Sequence, residues 1–407
     1  MSRRVVVVGS GIAGLAAAFA ARRAKATVTM VMGRPGATTL MSGALDDIHW
    51  ERADARPPRA LEPSERAFLD ALGIWEVGEE RALVATSSGR LRSARGRDRA
   101  VLDLSRLENA VVALPRMARF DWDADALARA LSSEPFARAR GLRFEAIDAD
   151  ILRFADEVGL SAAELAERHD AERLAWLLER LRACADLAGK QALLVGPFLG
   201  LEASVAEALT EALGMPVGET LSPVGGVAGL RFERARDRLL SKLDVVAQPG
   251  VSTGARGEAG RAIVDLEGDA MLDGNVVVLA TGGVAGGGML LSRSMLAGLD
   301  EDSRREPAFL PSVDCEAVLF AGGRPLVIPS SPYGASAEEL AWSAVRGRTL
   351  LETVGFADAD GWGIRADGDA IDWLLVAGDA VADRPRTVLE AMRTGLRAGE
   401  RAARGRG

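Results

Sequence analysis

The chain opens on four consecutive valines, Val5 to Val8, with no polar residue alternating between them, the pattern of a strand buried on both faces. Gly9-Ser10-Gly11-Ile12-Ala13-Gly14 follows, then an alanine-rich stretch with helical character, then a second apolar run from Val28 to Met32. Two later runs have the same look. Val276-Val277-Val278-Leu279 leads into Ala280-Thr281-Gly282-Gly283, and Trp373-Leu374-Leu375-Val376 leads into Ala377-Gly378-Asp379-Ala380. A C-terminal helix is predicted from about Arg386 to Arg401.

Between these runs the patterning changes. Asn109 to Leu114 reads as a strand, followed by helices over Ala124 to Leu131, Ser161 to His169 and Ala171 to Leu187. The second of these opens on a capping box, Ser161 with Glu164, and the third carries Leu174, Leu177, Leu178 and Leu181 on one face. A strand at Ala192 to Val195, a helix at Ala203 to Leu213 and a return linker at Leu221 to Gly229 complete the insertion. A further short helix is predicted near Ser64 to Leu72. The expected fold class is α/β, a Rossmann-like FAD/NAD(P)-binding domain with an inserted α/β cap domain. The expected segments are 1–108, 226–290 and 366–407 for the nucleotide domain, 109–225 for the cap, and 291–365 for a cap extension.

The glycine spacing carries chemistry. Gly9 permits a tight turn, Gly11 lets backbone approach a pyrophosphate, and Gly14 lets the helix pack on the sheet, with the positive end of the helix dipole facing the phosphates. Ala280 to Gly283 resembles the second fingerprint of the two-dinucleotide-binding flavoproteins, and Gly378-Asp379 resembles the pair that meets the ribityl and phosphate part of the flavin there. The resemblance implies a flavin cofactor. Its expected contacts are Gly9, Ser10, Gly11, Ala13, Gly14, Met32, Gly33, Thr38, Thr39, Ser42, Gly43, Ala280, Thr281, Gly282, Gly283, Gly378 and Asp379. At the end of the second strand a flavin site usually carries an acid for the adenosine ribose, and a thioether at Met32 cannot take that role, so FAD and FMN both stand open. Arg34 adds NADP as an alternative.

Composition narrows the partners. The 407 residues carry a formal charge of −8, and 47 arginines against 3 lysines are scattered over many predicted helices, so there is no footprint for nucleic acid. Cys184 and Cys315 are too few and too far apart for a metal knuckle or a CxxC pair. No metal is expected, and free thiols fit a reducing cytoplasm. No signal peptide is read before the first strand, and the apolar stretch Val276 to Leu291 is broken by five glycines, which rules it out as a membrane span. Of the two histidines, His49 is the candidate base and His169 is expected to be solvated. Asp46 and Asp47 are read as turn formers, or as groups orienting His49.

The stretch Gly33 to Asp46, ending in Met41-Ser42-Gly43-Ala44-Leu45-Asp46, resembles the flavin-contacting loop in the B subunit of anaerobic glycerol-3-phosphate dehydrogenase. The similarity continues at Ala113-Leu114-Pro115, Gly196 to Leu201, Leu221-Ser222-Pro223, Gly229-Leu230-Arg231, Leu279 to Gly282 and Ala377-Gly378. It implies a subunit that oxidises glycerol 3-phosphate to dihydroxyacetone phosphate and passes electrons to quinone through a catalytic flavoprotein subunit and an iron–sulfur subunit, peripheral to the inner face of the membrane. Arg116 and Arg231 follow similar segments and become the candidates for the substrate phosphate. With no cysteine cluster for an iron–sulfur centre, electrons must leave through a partner. Two alternatives remain: a free-standing flavin oxidoreductase, and a structural subunit with weakened flavin binding.

Overall fold

The computed structural model describes residues 2–48, 57–202, 204–292, 308–321, 324–326 and 353–406. They fall into two compact units, one of residues 1–38, 62–68 and 237–407, the other of 39–61 and 69–236.

The first unit has the α/β Rossmann-like FAD/NAD(P)-binding fold. Strand β1 (Arg4–Val8), helix α1 (Ile12–Arg23) and strand β2 (Thr27–Met32) form the opening βαβ. In the sheet, Val246–Pro249, β2, β1, Val276–Leu279 and Ala370–Val376 lie side by side and parallel. Trp362–Ile364 and Asp358–Ala359 extend it antiparallel at one edge. Val5 to Val8 are each at most 4 % exposed, as an uninterrupted apolar run in a sheet covered on both faces should be. A three-stranded antiparallel meander, Ser252–Glu258, Arg261–Leu266 and Met271–Gly274, makes the crossover from Val246–Pro249 to Val276–Leu279.

Helix α1 is alanine-rich because it is buried on every side from Ile12 to Ala21. The C-terminal helix Val388–Arg404 lies against it at backbone contact: a Cβ on Gly395 would sit 2.2 Å from the Ala13 carbonyl oxygen, and one on Gly399 2.1 Å from that of Ala17. Thr387 caps this helix by accepting from the Glu390 amide at 3.3 Å. Arg393 pairs with buried Glu65 at 2.9 Å, and the Phe19 and Phe68 rings meet edge to face at 5.3 Å.

Residues expected as a cap extension belong here instead. Leu319, Ala321, Val354 and Phe356 share one apolar core with Val277, Leu374 and Val376. Their strands are short and separated, so no periodic pattern marked them as part of the sheet's covering.

The second unit contains its own parallel sheet, ordered Val217–Glu219, Ala192–Val195, Val111–Pro115 and Arg143–Ile147. Residues 69–108, expected with the nucleotide domain, cluster here. Val101 bridges Glu219, Thr86 bridges Leu221, and the Leu102 amide donates to the Glu219 carbonyl at 3.0 Å. The capping box forms: the Glu164 amide donates to Ser161 Oγ at 3.2 Å, and the Ser161 amide to Glu164 Oε2 at 2.8 Å. A helix, Val227–Lys242, begins within the expected linker Leu221 to Gly229. Its buried Ala228, Phe232, Ala235 and Leu239 follow helical spacing, hidden in sequence by the charged residues between them.

Gly395→Leu is expected to lower stability to urea by about 1–3 kcal/mol, because two helix backbones must part to admit the side chain. Gly159→Ala, whose Cβ meets nothing within 4 Å, should change it by less than about 0.5 kcal/mol.

Candidate dinucleotide groove

In the first unit's sheet the chain departs from β1 toward β2 on one side, while Val276–Leu279 lies on the other, so the carboxyl ends of β1 and Val276–Leu279 flank the switch point where open α/β sheets bind ligands. The two strands stay in register to their ends, with the Ala280 amide donating to the Val8 carbonyl at 2.9 Å. Gly9 then turns with φ +108°, and a Cβ there would lie 2.3 Å from the Ala280 carbonyl oxygen. One on Gly14 would lie 1.9 Å from the Gly9 carbonyl oxygen. These two glycines serve the crossing of backbones, which is what opens the space beyond.

That space is a groove open to solvent, lined by Gly9, Ser10, Gly11, Ala13, Thr38, Ala280, Thr281, Gly282 and Asp379 of the expected residues, and by Ile12, Arg34, Gly36, Ala37, Gly286 and Ala391 besides. Gly11 caps α1 without a side chain, and no acid lies in the first turn, so the positive end of the helix is unscreened. The Ile12 amide donates to Thr38 Oγ1 at 3.1 Å. This bond ties the loop after β2 to the start of α1. Thr281 Oγ1 is buried and has no hydrogen-bond partner among the described residues. An orphaned hydroxyl at a glycine-lined helix N-terminus fits a polar, anionic ligand segment such as a dinucleotide's diphosphate.

Burial pushes the Asp379 carboxyl above the usual carboxylate range, against the pull of the Arg386 cation. Arg386 is engaged with the Asp379 and Val381 carbonyls, and the Gly378 amide donates to Thr394 Oγ1 at 2.8 Å, so the turn after Ala370–Val376 is clamped onto the C-terminal helix.

Other expected contacts lie elsewhere. Gly14, Gly33, Gly283 and Gly378 support the groove's backbone without lining it, and a Cβ on Gly283 would meet the Asp379 carbonyl oxygen at 3.0 Å. Met32 also stands off the groove, aligned with Pro249, its carbonyl accepting from the Gly250 amide at 3.2 Å. Thr39, Ser42 and Gly43 belong to the second unit. There a Cβ on Gly43, whose φ is +97°, would meet Asp98, Val101 and Ala228. Gly36 and Ala37 fall within the loop Gly33 to Asp46 marked by its resemblance to a flavin-contacting loop; sequence reasoning missed Gly286, although the glycine run after Gly283 was a visible signal.

The expected substrate arginines are corrected by their surroundings in the second unit. Arg116 lies at the surface with its fork on Asp125 at 2.8 and 2.9 Å and on Asp148 at 3.0 Å. Arg231 is 1 % exposed, doubly bonded to Glu219 at 2.7 Å and to the Gly200 carbonyl at 2.6 and 3.0 Å, with Asp98 at 3.6 Å. Its donors are spent on the fold. Burial pushes the Glu219 carboxyl up, with Arg231 opposing. Asp46 is held by Arg92 at 2.5 and 2.6 Å, and Asp47 by Arg81 at 3.1 Å, so these carboxylates anchor a hairpin. His49 lies outside the described residues. His169, expected in solvent, has both ring nitrogens buried and unpartnered. Burial above all, then the Arg173 and Arg231 cations, drive its pKa down to about 3 against Glu157 and Asp170. Cys184 and Cys315 are free thiols, the latter pushed up to about 12 by burial.

Among the described residues no helix is long and apolar enough to cross a membrane, and no group of three metal-ligating side chains converges. A family model described as pyridine nucleotide-disulphide oxidoreductase matches residues 3–108. No curated protein matches the chain. Among solved structures, the open conformation of a flavocytochrome c3 fumarate reductase aligns over 99 % of this chain and 78 % of its own, at 10 % identity and a TM-score of 0.41. A 3-ketosteroid-Δ4-(5α)-dehydrogenase from Rhodococcus jostii RHA1 aligns over 98 % and 97 %, at 12 % identity and 0.36. A GidA-related protein from Thermus thermophilus aligns over the same shares, at 12 % identity and 0.31.

Gly11→Val should abolish cofactor binding with the fold retained, since even a Cβ there lies 3.2 Å from Thr38 Oγ1 and a larger side chain fills the helix end. Flavin content after reconstitution reads this directly.

His169 yields a pH prediction. With the folded pKa near 3 against 6.5 unfolded, the unfolded chain binds the extra proton, so stability rises with pH across that window and is lost as pH falls from about 6.5 toward 3. In His169→Gln the slope of unfolding free energy between pH 4 and 6 should drop by up to about 1.4 kcal/mol per pH unit. An unchanged slope means the imidazole is solvated after all.

Proposed function

We propose that this chain is a flavin-dependent oxidoreductase and, more finely, the flavoprotein subunit of a glycerol-3-phosphate dehydrogenase that delivers electrons to quinone through partner subunits. The groove at the switch point, with a helix N-terminus that carries no acid and the orphaned Thr281 hydroxyl, is the observation that supports the first part. The loop Gly33 to Asp46 supports the second by its similarity to the anaerobic enzyme's B subunit.

A bound flavin supplies a hydride acceptor. The chain's own residues do the holding. The first-turn amides of α1 would bind the diphosphate and Thr281 Oγ1 would gain a partner, while Gly9, Gly282 and Gly286 let the backbones that wall the groove approach one another. A ligand hydroxyl or N–H bonded to Asp379 would offset the carboxylate's desolvation. In alcohol oxidation the hydride leaves C2 while the hydroxyl proton goes to a base, and His49 is the residue proposed for that proton. With only Cys184 and Cys315 in the sequence, an iron–sulfur relay is assigned to a partner subunit.

A second reading, a free-standing flavin oxidoreductase acting on another alcohol or acid, is favoured by one observation: Arg116 and Arg231 are committed to carboxylates and leave no identified cation for a substrate phosphate.

The reconstituted chain is expected to carry at most one flavin, bleached anaerobically by glycerol 3-phosphate, and to show no quinone-linked turnover until a second flavoprotein and an iron–sulfur subunit are added. Full turnover alone with a quinone analogue would establish the free-standing reading. Failure to take up any flavin would sink both.

A further inference from the structure

Among the described residues three arginines bury a nitrogen that has no hydrogen-bond partner: Arg3 and Arg173 leave Nε open, and Arg81 leaves open both Nε and Nη2. These two atoms form one edge of the guanidinium, with parallel N–H bonds spaced to meet two oxygens of a carboxylate or phosphate. Only Nη1 of Arg81 is spent, on Asp47 Oδ1 at 3.1 Å. Arg116 and Arg231, in contrast, close their forks on carboxylates. A buried donor without a partner is rare in a folded chain, and it is costlier on a charged group because nothing replaces the water given up. Acids to close this edge are at hand in the sequence. Glu79 and Glu80 immediately precede Arg81, yet both are exposed and neither pairs with it.

The open edge is fixed in position. Arg81 leads straight into the strand Ala82–Ala85, whose hairpin with Leu91–Ala94 sets the backbone. Its anchor Asp47 is shared with Arg95 Nε at 3.9 Å, and Arg95 in turn donates to the Gly78 and Arg59 carbonyls. Asp46 is taken up by Arg92. Both aspartates are therefore committed to ion pairs, and Asp47 stays on Nη1, away from the edge that is open. With the Arg81 and Asp47 side chains each 11 % exposed, the pair lies just beneath the surface and not in the middle of a core.

We propose that Arg81 is the clamp of an oxyanion site in the second unit, taking two oxygens of a phosphate or carboxylate on a small molecule through Nε–H and Nη2–H. Binding closes both open donors at once, and the charge of the ligand offsets the desolvated cation. A lysine at this position carries the charge without the paired geometry. The site lies wholly within the second unit, so it holds whether or not the groove of the first unit takes a flavin.

The test is calorimetric titration of the full chain, and of Arg81→Lys and Arg81→Gln, with inorganic phosphate, glycerol 3-phosphate, glycerate and glycerol, flavin uptake being measured separately. Arg81→Lys keeps a cation beside Asp47 and is expected to fold as the parent does, checked by circular dichroism. Arg81→Gln strands Asp47, so where it fails to fold the lysine variant decides. The parent is expected to bind at least one of the anions and to take glycerol far more weakly. Arg81→Lys should weaken the bound anion about ten- to a hundredfold and leave glycerol unchanged. A loss confined to inorganic phosphate and glycerol 3-phosphate identifies a phosphate, and one confined to glycerate identifies a carboxylate. Equal anion affinities in the parent and Arg81→Lys overturn the clamp, and so does a parent that binds none of the three anions, since an ordered water then closes the fork. Neither result touches the flavin reading, which stands or falls on flavin uptake.

Discussion

Two backbones come together where β1 and Val276–Leu279 end, and the rest of the first unit is arranged around that approach. Gly9 and Ala280 are so close that no side chain fits between them, and Gly14 repeats the constraint one turn into α1. The consequence is geometric: α1 starts immediately beyond the sheet, its N-terminus aimed into the space between the two strand ends. Because α1 sits that deep, its own surface must be small, which is why half of its residues are alanine. The same demand passes to the C-terminal helix, where Gly395 and Gly399 meet Ala13 and Ala17. Gly378, after the last strand, also packs on α1: a Cβ there would lie 2.6 Å from the Ala13 Cβ.

The sheet and the groove were readable from the chain because their signals are local. Valine runs, glycine spacing and a capping box each act within a few residues, and each produced the element expected of it. Charged side chains were not readable in this way. The sequence neighbours of Arg116 and Arg231 do not show their partners, which come from elsewhere: Asp125 and Asp148 for one, Glu219 and Asp98 for the other. The polar helix end around His169 predicts a solvated ring, while the structure buries it, with Gly200 packed against its Cβ. The helix Val227–Lys242 was missed because its arginines and acids outweigh the narrow apolar stripe.

The second unit places charge at unusual depth. Glu157 with Arg173, and Glu219 with Arg231 and Asp98, are all at most 2 % exposed. Buried pairs of this kind add little net stability compared with apolar residues of equal volume, but removing one partner strands the other and costs about 3–5 kcal/mol. They therefore act as a constraint on which conformation is allowed. An arginine so engaged cannot also recognise a substrate, since leaving the pair would expose that penalty in full.

Recognition must then come from cations that the fold leaves unspent, and the first unit holds one in the right place. Arg34 and the N-terminus of α1 share a wall of the groove that no described carboxylate neutralises except Asp379, whose own ionisation burial opposes. A positive wall of this kind complements a diphosphate, which in a flavin dinucleotide lies between the adenosine and the flavin. With Met32 uncharged and turned from the groove, and Arg34 exposed on it two residues on, the end of β2 brings a cation and no acid to this wall.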